Sequence, residues 1–251
     1  MLTLKNVHWK VDDGREVLSG IDLTIETGKL TIVTGPNGGG KTSLAKIISG
    51  VETLTEGQIL LDGEDLTDMD ITERAKAGVA YGFQQPVRFK GITVRDMIEL
   101  ANGGPMEDTA ICDIMDKVGL CMQDYIDREV NASLSGGEIK RIEIATVLAR
   151  KDAKMMIFDE PEAGIDLWSF HGLVKAFEEL NSTHDMTLMV ISHQERLMEI
   201  ADEIIVIEDG KVRMQGPGKE ILPKLSADEK GGFCPIGNDE QLLKDMREAL
   251  A

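Results

Sequence analysis

The chain has 251 residues, 42% of them hydrophobic and 29% charged, enough to bury one large core or two small ones. A formal net charge of −18 excludes nucleic acid as the main partner, because phosphate backbones are bound by clustered Lys and Arg, and it disfavours broad adhesion to anionic lipid. No apolar run reaches membrane-spanning length and the start "MLTLKNVHWK" lacks a signal peptide's apolar block, so no direct membrane insertion is expected.

In chain order, "LTLKNVHWKV" and "EVLSGIDLTIE" alternate as half-buried strands about the turn "DDG", which predicts an N-terminal antiparallel unit. "KLTIVTG" reads as a strand entering a glycine-rich loop and then a helix, "KTSLAKIISG". "GQILLDG" is a further strand, and "GVAYGFQQP" is a strand closed by Pro86, which cannot continue a ladder. Residues 93 to 150 change character. "TVRDMIELANGG", "MEDTAICDIMDKVGL" and "GGEIKRIEIATVLARK" carry helical spacing, which predicts a helical insertion over about residues 86–150. Strand and helix then alternate again through "KMMIFDEP", "SFHGLVKAFEELN", "MTLMVIS", "QERLMEIA" and "DEIIVIEDG". Continuous apolar strands followed by helices indicate an α/β fold with a mostly parallel sheet covered on both faces.

A tail is expected from Ser226 to the end of the chain, loop-like at "KGGFCPIGN" and then helical, with Asn238 as N-cap and Leu242, Leu243, Met246 and Leu250 on one face. Such a face usually docks on its own domain. Cys112, Cys121 and Cys234 show no CxxC spacing and leave one thiol unpaired, which suits a reduced, cytoplasmic setting and inert thiols.

"GPNGGGKT" fits G-x-x-x-x-G-K-[ST] between a strand and a helix, the context this motif requires. Its glycines allow successive backbone N–H groups to turn towards phosphate oxygens, and the helix N-terminus adds partial positive charge. Gly35, Pro36, Asn37, Gly38, Gly39, Gly40, Lys41, Thr42 and Ser43 are therefore candidates for binding a nucleotide. Lys41 can reach the β- and γ-phosphates, and Thr42 offers a hydroxyl to Mg²⁺. Kinases, GTPases, helicases and transport ATPases share this loop, so other motifs must choose among them. "LSGGE" places Ser135, Gly136 and Gly137 just before a helix expected to begin near Glu138, a second helix start suited to an anion. Two such starts in one chain suggest that two copies sandwich the nucleotide.

The order "GPNGGGKT", "FQQP", "LSGGE", "MMIFDEP" and "VISH" resembles the ATP-binding-cassette ATPases, over nearly the whole chain to about residue 225. The resemblance implies a Mg²⁺-dependent ATPase of the P-loop NTPase class, with a cassette domain over residues 1–225 and a tail over 226–251. It also implies an ATP-dependent head-to-tail homodimer in which Ser135, Gly136, Gly137 and Glu138 of one copy close on the γ-phosphate held by the other. Gln84 matches the glutamine that senses Mg²⁺ and the γ-phosphate, His193 the switch histidine, and Asp166 the loop aspartate that communicates across the dimer. Alone, Gln84 reads as a loop amide and His193 as a strand-end histidine; their order along the chain carries the assignment.

"DEPEAGID" packs four carboxylates into eight positions after "MMIF". In open parallel sheets ligands bind beyond the carboxyl ends of the strands, so Asp159 and Glu160 fall beside the phosphates. Asp159 resembles the aspartate that supports Mg²⁺, together with Thr42 and Gln84. Glu160 resembles the general base that orients the attacking water, with Lys41, Gln84 and His193 completing the catalytic set. An EF-hand counted from Asp159 would put Pro161 and Ala163 at ligand positions and Phe170 where a bidentate Glu belongs. A glycosidase pair would leave the P-loop unexplained. Glu162 has no catalytic role and reads as acidic background.

Three stretches, "GFQQPVRFKGITV", "REVNASLSGGEIKRIEI" and "DEPEAGID", resemble the SufC-type ATPase of the Suf iron–sulfur cluster assembly system. That resemblance implies action on a SufB- or SufD-like soluble scaffold, with the cluster held by the partner. A nucleotide-binding subunit of an ABC transporter is the alternative, sharing the ATPase chemistry and differing in partner. Val11 falls where many cassettes place an aromatic against adenine, so the expectation is either weak base recognition or help from Trp9.

Overall fold

The structure, a computed structural model, describes residues 1–85, 87–131 and 133–230. Pro86, Cys234 and the expected tail helix after Asn238 lie outside the described residues.

The chain opens with β1 (Leu2–Lys10), β2 (Glu16–Ile25) and β3 (Leu30–Thr34), followed by α1 (Lys41–Ser49). β4 (Glu56–Leu61) and β5 (Glu64–Asp65) lead through α2 (Ile71–Ala77) to β6 (Val79–Gly82). Next come α3 (Val94–Asn102), α4 (Asp108–Lys117), α5 (Met122–Tyr125) and α6 (Gly136–Leu148). β7 (Met155–Asp159), α7 (Leu167–Thr183), β8 (Thr187–Ile191) and α8 (Glu195–Glu199) restore the alternation. The last described elements are β9 (Glu203–Glu208), β10 (Lys211–Pro217) and α9 (Gly218–Lys230). α9 crosses residue 225, where the sequence pattern put the end of the main domain.

β1, β2, β4 and β5 form an antiparallel sheet in the order β2-β1-β4-β5. The second sheet has the order β10-β9-β3-β8-β7-β6; it is parallel except for β10, which returns antiparallel on β9. Every residue of β3, β7 and β8 is buried. Because successive side chains on a strand point to opposite faces, each apolar run supplies two cores at once. Val33, Ile157, Met189 and Ile205 join the antiparallel sheet and Leu44 and Ile47 of α1 in one core. Ile32, Phe158, Val190 and Ile204 face the other way, towards Ile98 of α3, Met115 of α4, Ile142 of α6 and Phe177 of α7. Burying a Leu, Ile or Phe side chain contributes roughly 1.5–3 kcal/mol, so these alternating runs are a main source of stability.

The helices begin where their caps dictate. Thr93 and Asp96 form a capping box at α3, as do Ser135 and Glu138 at α6, which starts at Gly136 rather than at Glu138. With β3, β6, β7 and β8 parallel, their carboxyl ends share one edge. The segments after them carry the P-loop, Gln84, Glu160 and His193.

A candidate nucleotide site at the carboxyl edge of the sheet

The P-loop turns tightly because its glycines remove Cβ atoms where the backbone comes close. Gly35 has φ +132, and a Cβ there would lie 2.1 Å from the Ile207 carbonyl oxygen; at Gly39 it would lie 2.7 Å from the same atom. Gly40 caps α1 with φ 107 and no side-chain bond, so the first-turn N–H groups of the helix carry no side-chain cap. Lys41 Nζ donates to the carbonyl oxygens of Gly35 at 2.8 Å and Pro36 at 3.0 Å, holding the loop around its own ammonium. Burial pushes the Lys41 pKa down, and the charges of Glu160 and Asp159 oppose that shift.

A cavity of 940 Å³ opens over this loop. It is lined by Asn37, Gly38, Gly40, Lys41, Thr42 and Ser43, and by Gln84, Glu160 and His193 from three other strand ends. Trp9, Val11, Arg15, Glu16 and Val17 of the antiparallel sheet and its hairpin close one side, with Asp209 and Gly210 beyond. Trp9, named above for the base, and Val11, at the usual aromatic position, therefore line the same cavity as the phosphate loop.

Asp159 lies just beneath, fully buried. Its carboxylate accepts the Thr42 hydroxyl at 3.2 Å and the Tyr81 phenol at 3.1 Å. Burial pushes the Asp159 pKa up, and these two donors pull it down. Tyr81 is itself held protonated, first by burial and then by the Asp159 charge. Among the described residues no group of three or more His, Cys, Asp or Glu is arranged to hold a metal. A hydroxyl, one carboxylate and a nearby amide suit a hard divalent cation that keeps most of its waters and takes its other ligands from a bound phosphate.

Glu160 adopts a left-handed backbone with φ 45. Its N–H donates to the Ile191 carbonyl at 3.0 Å and its carbonyl accepts from Ala163 N–H at 3.1 Å, which fixes the turn. Gln84 Nε2 donates to its carboxylate at 2.7 Å. Partial burial lowers the His193 pKa, the Lys41 charge adds to the effect and Glu160 opposes it, so the imidazole facing the cavity is disposed to be neutral.

Ser135, Gly136, Gly137 and Glu138 do not line the cavity. Ser135 Oγ accepts Glu138 N–H at 3.2 Å while the Glu138 carboxylate accepts Ser135 N–H at 2.7 Å. The Tyr125 phenol donates to Glu138 at 2.6 Å, and this bond, with those from Ser135, brings the Glu138 pKa down to about 2. Asp166 also lies apart from the cavity, as the N-cap of α7, accepting from the N–H groups of Trp168 and Ser169. Its carboxylate comes within 3.8 Å of Arg141 on α6. Gly164 passes so close to α6 that a Cβ on Gly137 would lie 2.6 Å from the Gly164 carbonyl oxygen.

Lys140, Glu143, Tyr81 and one supposed background acid have contacts that sequence reading missed. Lys140, 2% exposed, donates to the carbonyls of Phe83, Gln84 and Asp159, the latter two at 3.4 Å, and pairs with Glu143 at 3.6 Å. Glu143 accepts Phe83 N–H at 2.9 Å. Tyr81 supports Asp159 as described. Glu162 is not a solvated acid: its carboxylate accepts the hydroxyl of fully buried Ser192 at 2.6 Å, and the backbone N–H of His193 also draws its pKa down against burial.

The chain is similar to several known proteins. A family profile described as "ABC transporter" matches residues 18–163. An uncharacterized ABC transporter ATP-binding protein of Methanocaldococcus jannaschii, MJ0035, is 37% identical over 82% of this chain and 85% of its own length. A probable ABC transporter ATP-binding protein of Streptococcus pyogenes serotype M3 is 32% identical over 95% of this chain and 96% of its own. The fold is similar to that of the ATP-binding cassette MJ0796, solved as a post-hydrolysis dimer with ADP and Pi, with a TM-score of 0.77. That similarity covers 86% of this chain and 98% of the other at 24% identity.

Proposed function

The chain belongs to the ABC transporter ATP-binding family, an ATP-hydrolysing cassette, and from that premise we propose that it is the ATPase subunit of a transporter, driving a membrane-embedded partner. An apolar groove beside the Gln84 segment carries this reading. Phe89, Ile92, Met97, Leu100 and Ala101 line a groove of 880 Å³, and Leu100 is 77% exposed. It adjoins a smaller apolar cavity beneath Phe83 and Glu143, with Phe89, Met97 and Thr146 common to both. A partner segment in this groove touches the chain just beyond Gln84, whose amide holds Glu160. The relatives' descriptions as transporter ATP-binding proteins support the same partner class.

In the proposed reaction ATP and water give ADP and phosphate. The P-loop N–H groups and Lys41 bind the phosphates. Thr42, Asp159 and Gln84 would hold Mg²⁺, which supplies charge neutralisation on the phosphate oxygens when bound. Glu160 accepts a hydrogen bond from the attacking water and orients it, and a neutral His193 hydrogen-bonds the γ-phosphate. Positioning and charge stabilisation dominate phosphoryl transfer, which suits a preformed constellation of this kind. Ser135, Gly136, Gly137 and Glu138 lie outside the cavity of their own chain and are assigned to the second copy's nucleotide in an ATP-dependent homodimer. Asp166, occupied in capping α7, sets the course of the loop at that interface.

A second reading, a SufC-type ATPase acting on a SufB- or SufD-like scaffold, rests on the sequence resemblance of three stretches. The three stretches that resemble that type meet at one buried ammonium: Lys140 of "SGGEIKRIEI" binds carbonyls of "GFQQPV" and "DEPEAGID". Purification of the tagged chain from native lysate in mild detergent separates the readings. Recovery of an integral membrane permease is expected; recovery of a soluble SufB- or SufD-like protein with no permease would replace the transporter reading with the second.

A further inference from the structure

His193 reaches the cavity from the segment between β8 and α8. Ser192 is fully buried and donates its N–H to the Val33 carbonyl at 3.2 Å. Its hydroxyl donates to Glu162 Oε1 at 2.6 Å and accepts Gln194 N–H at 3.0 Å. The residues on both sides of His193 are thus tied to a single hydroxyl, and that hydroxyl is tied to Glu162. Glu162 follows Glu160 by two residues on the same turn, where Ala163 N–H closes back on Glu160 at 3.1 Å. Glu162 does not line the cavity, so it does not touch the nucleotide. Burial pushes the Glu162 pKa up, while the Ser192 hydroxyl and the backbone N–H groups of Glu162 and His193 pull it down, so the carboxylate engages both residues of the histidine loop.

We infer that Glu162 is a positioning residue for ATP hydrolysis: through Ser192 it sets His193 relative to Glu160, so that the histidine turn and the carboxylate turn move as one unit. The inference rests on the assignment of His193 to the γ-phosphate made above. Two loops from different strands, β7 and β8, must present groups to the same phosphate and water. Small misplacements of such groups cost rate steeply, up to about a hundredfold for an ångström. The Glu162–Ser192 bond is the side-chain link between those loops, one residue before His193 and two after Glu160.

The test is an epistasis series on steady-state ATP hydrolysis. Glu162→Ala is expected to lower kcat about tenfold or more with KM for ATP unchanged. Ser192→Ala should do the same, and the double variant should be no worse than either single. Glu162→Gln keeps an acceptor for the Ser192 hydroxyl and should recover most of the rate. In a His193→Ala background, Glu162→Ala should have no further effect on kcat. Losses that multiply in that background, or an unchanged kcat in folded Glu162→Ala, would overturn the inference while leaving the His193 assignment intact. Full turnover by His193→Ala would overturn the assignment and this inference together. If Glu162→Ala does not fold, Ser192→Ala carries the same comparison, and additivity with His193→Ala overturns the proposal equally.

Discussion

Glu160 occupies a backbone region that a residue with a Cβ enters at a cost on the order of 1 kcal/mol. Its bonds to Ile191 and Ala163 hold it there, and the result is a carboxylate turned towards Gln84 and the cavity. Glu160→Gln is expected to bind ATP within about twofold of the parent and to lose about a hundredfold or more of turnover. Nucleotide titration and phosphate release measure the two separately; normal steady-state hydrolysis would remove Glu160 from the reaction. Tyr81 is argued from the other side of the site. Its phenol donates to Asp159, so Tyr81→Phe should weaken Mg²⁺ binding about tenfold, read from the Mg²⁺ dependence of turnover, with little change in ATP affinity at saturating metal. An unchanged Mg²⁺ dependence would show that Thr42 alone suffices to orient Asp159. The positions of Lys41, at the helix start after the P-loop, and of Gln84, Asp159, Glu160 and His193, at strand ends, were legible in the sequence because these residues stand in a recognisable order. Tyr81, Lys140 and Glu162 were not, because their meaning lies in partners 78, 57 and 30 positions away.

Among the elements, α6 shows how one helix start serves both stability and the proposed site. Ser135 and Glu138 satisfy each other's backbone N–H, and the Glu138 charge sits at the positive end of the helix dipole. The Glu138 pKa lies at about 2 in the folded chain, below its ordinary value of 4.5, so the ionised carboxylate favours the folded state. That contribution is complete above about pH 4.5 and fades as pH falls towards about 2. Glu138→Gln keeps an acceptor for Ser135 N–H and loses the charge. It should be less stable than the parent near neutral pH by about 0.3–1 kcal/mol, and the difference should shrink as pH falls through that window. Chemical denaturation at several pH values checks this, and a difference independent of pH would assign the effect to packing. The same scale explains which elements sequence reading found. β3, β7, β8 and β9 announce themselves because burial on both faces demands unbroken apolar runs. α2 gave no signal, since the one residue it buries is Arg74, whose guanidinium binds carbonyls at the end of α1. β10 alternates between exposed and half-exposed at a sheet edge, and α9 carries Pro223 inside it, which in sequence argues against a helix.

At the scale of the whole molecule, the net charge of −18 sets a condition on the proposed dimer. Two copies of so acidic a chain repel as they approach, and the ATP held between them adds negative charge unless metal and Lys41 offset it. The attraction that closes the dimer is local: helix starts, the P-loop ammonium and phosphates act over a few ångströms in a partly dehydrated site. The repulsion is spread over the surface, so dissolved ions screen it more readily than they screen the buried contacts. Raising ionic strength from about 0.01 to about 0.1 M shortens the Debye length from about 30 to about 10 Å, comparable with the separation of surface charges across an interface. ATP-bound Glu160→Gln, which should accumulate in the closed state, is therefore expected to dimerise more tightly as salt rises over this range. Sedimentation or light scattering at fixed protein and Mg-ATP concentration reads the change directly. Dimers that weaken with salt would mean that complementary charge at the interface outweighs the overall repulsion, and would direct attention to Arg141 and Asp166, which already meet within one chain at 3.8 Å where α6 passes the loop before α7.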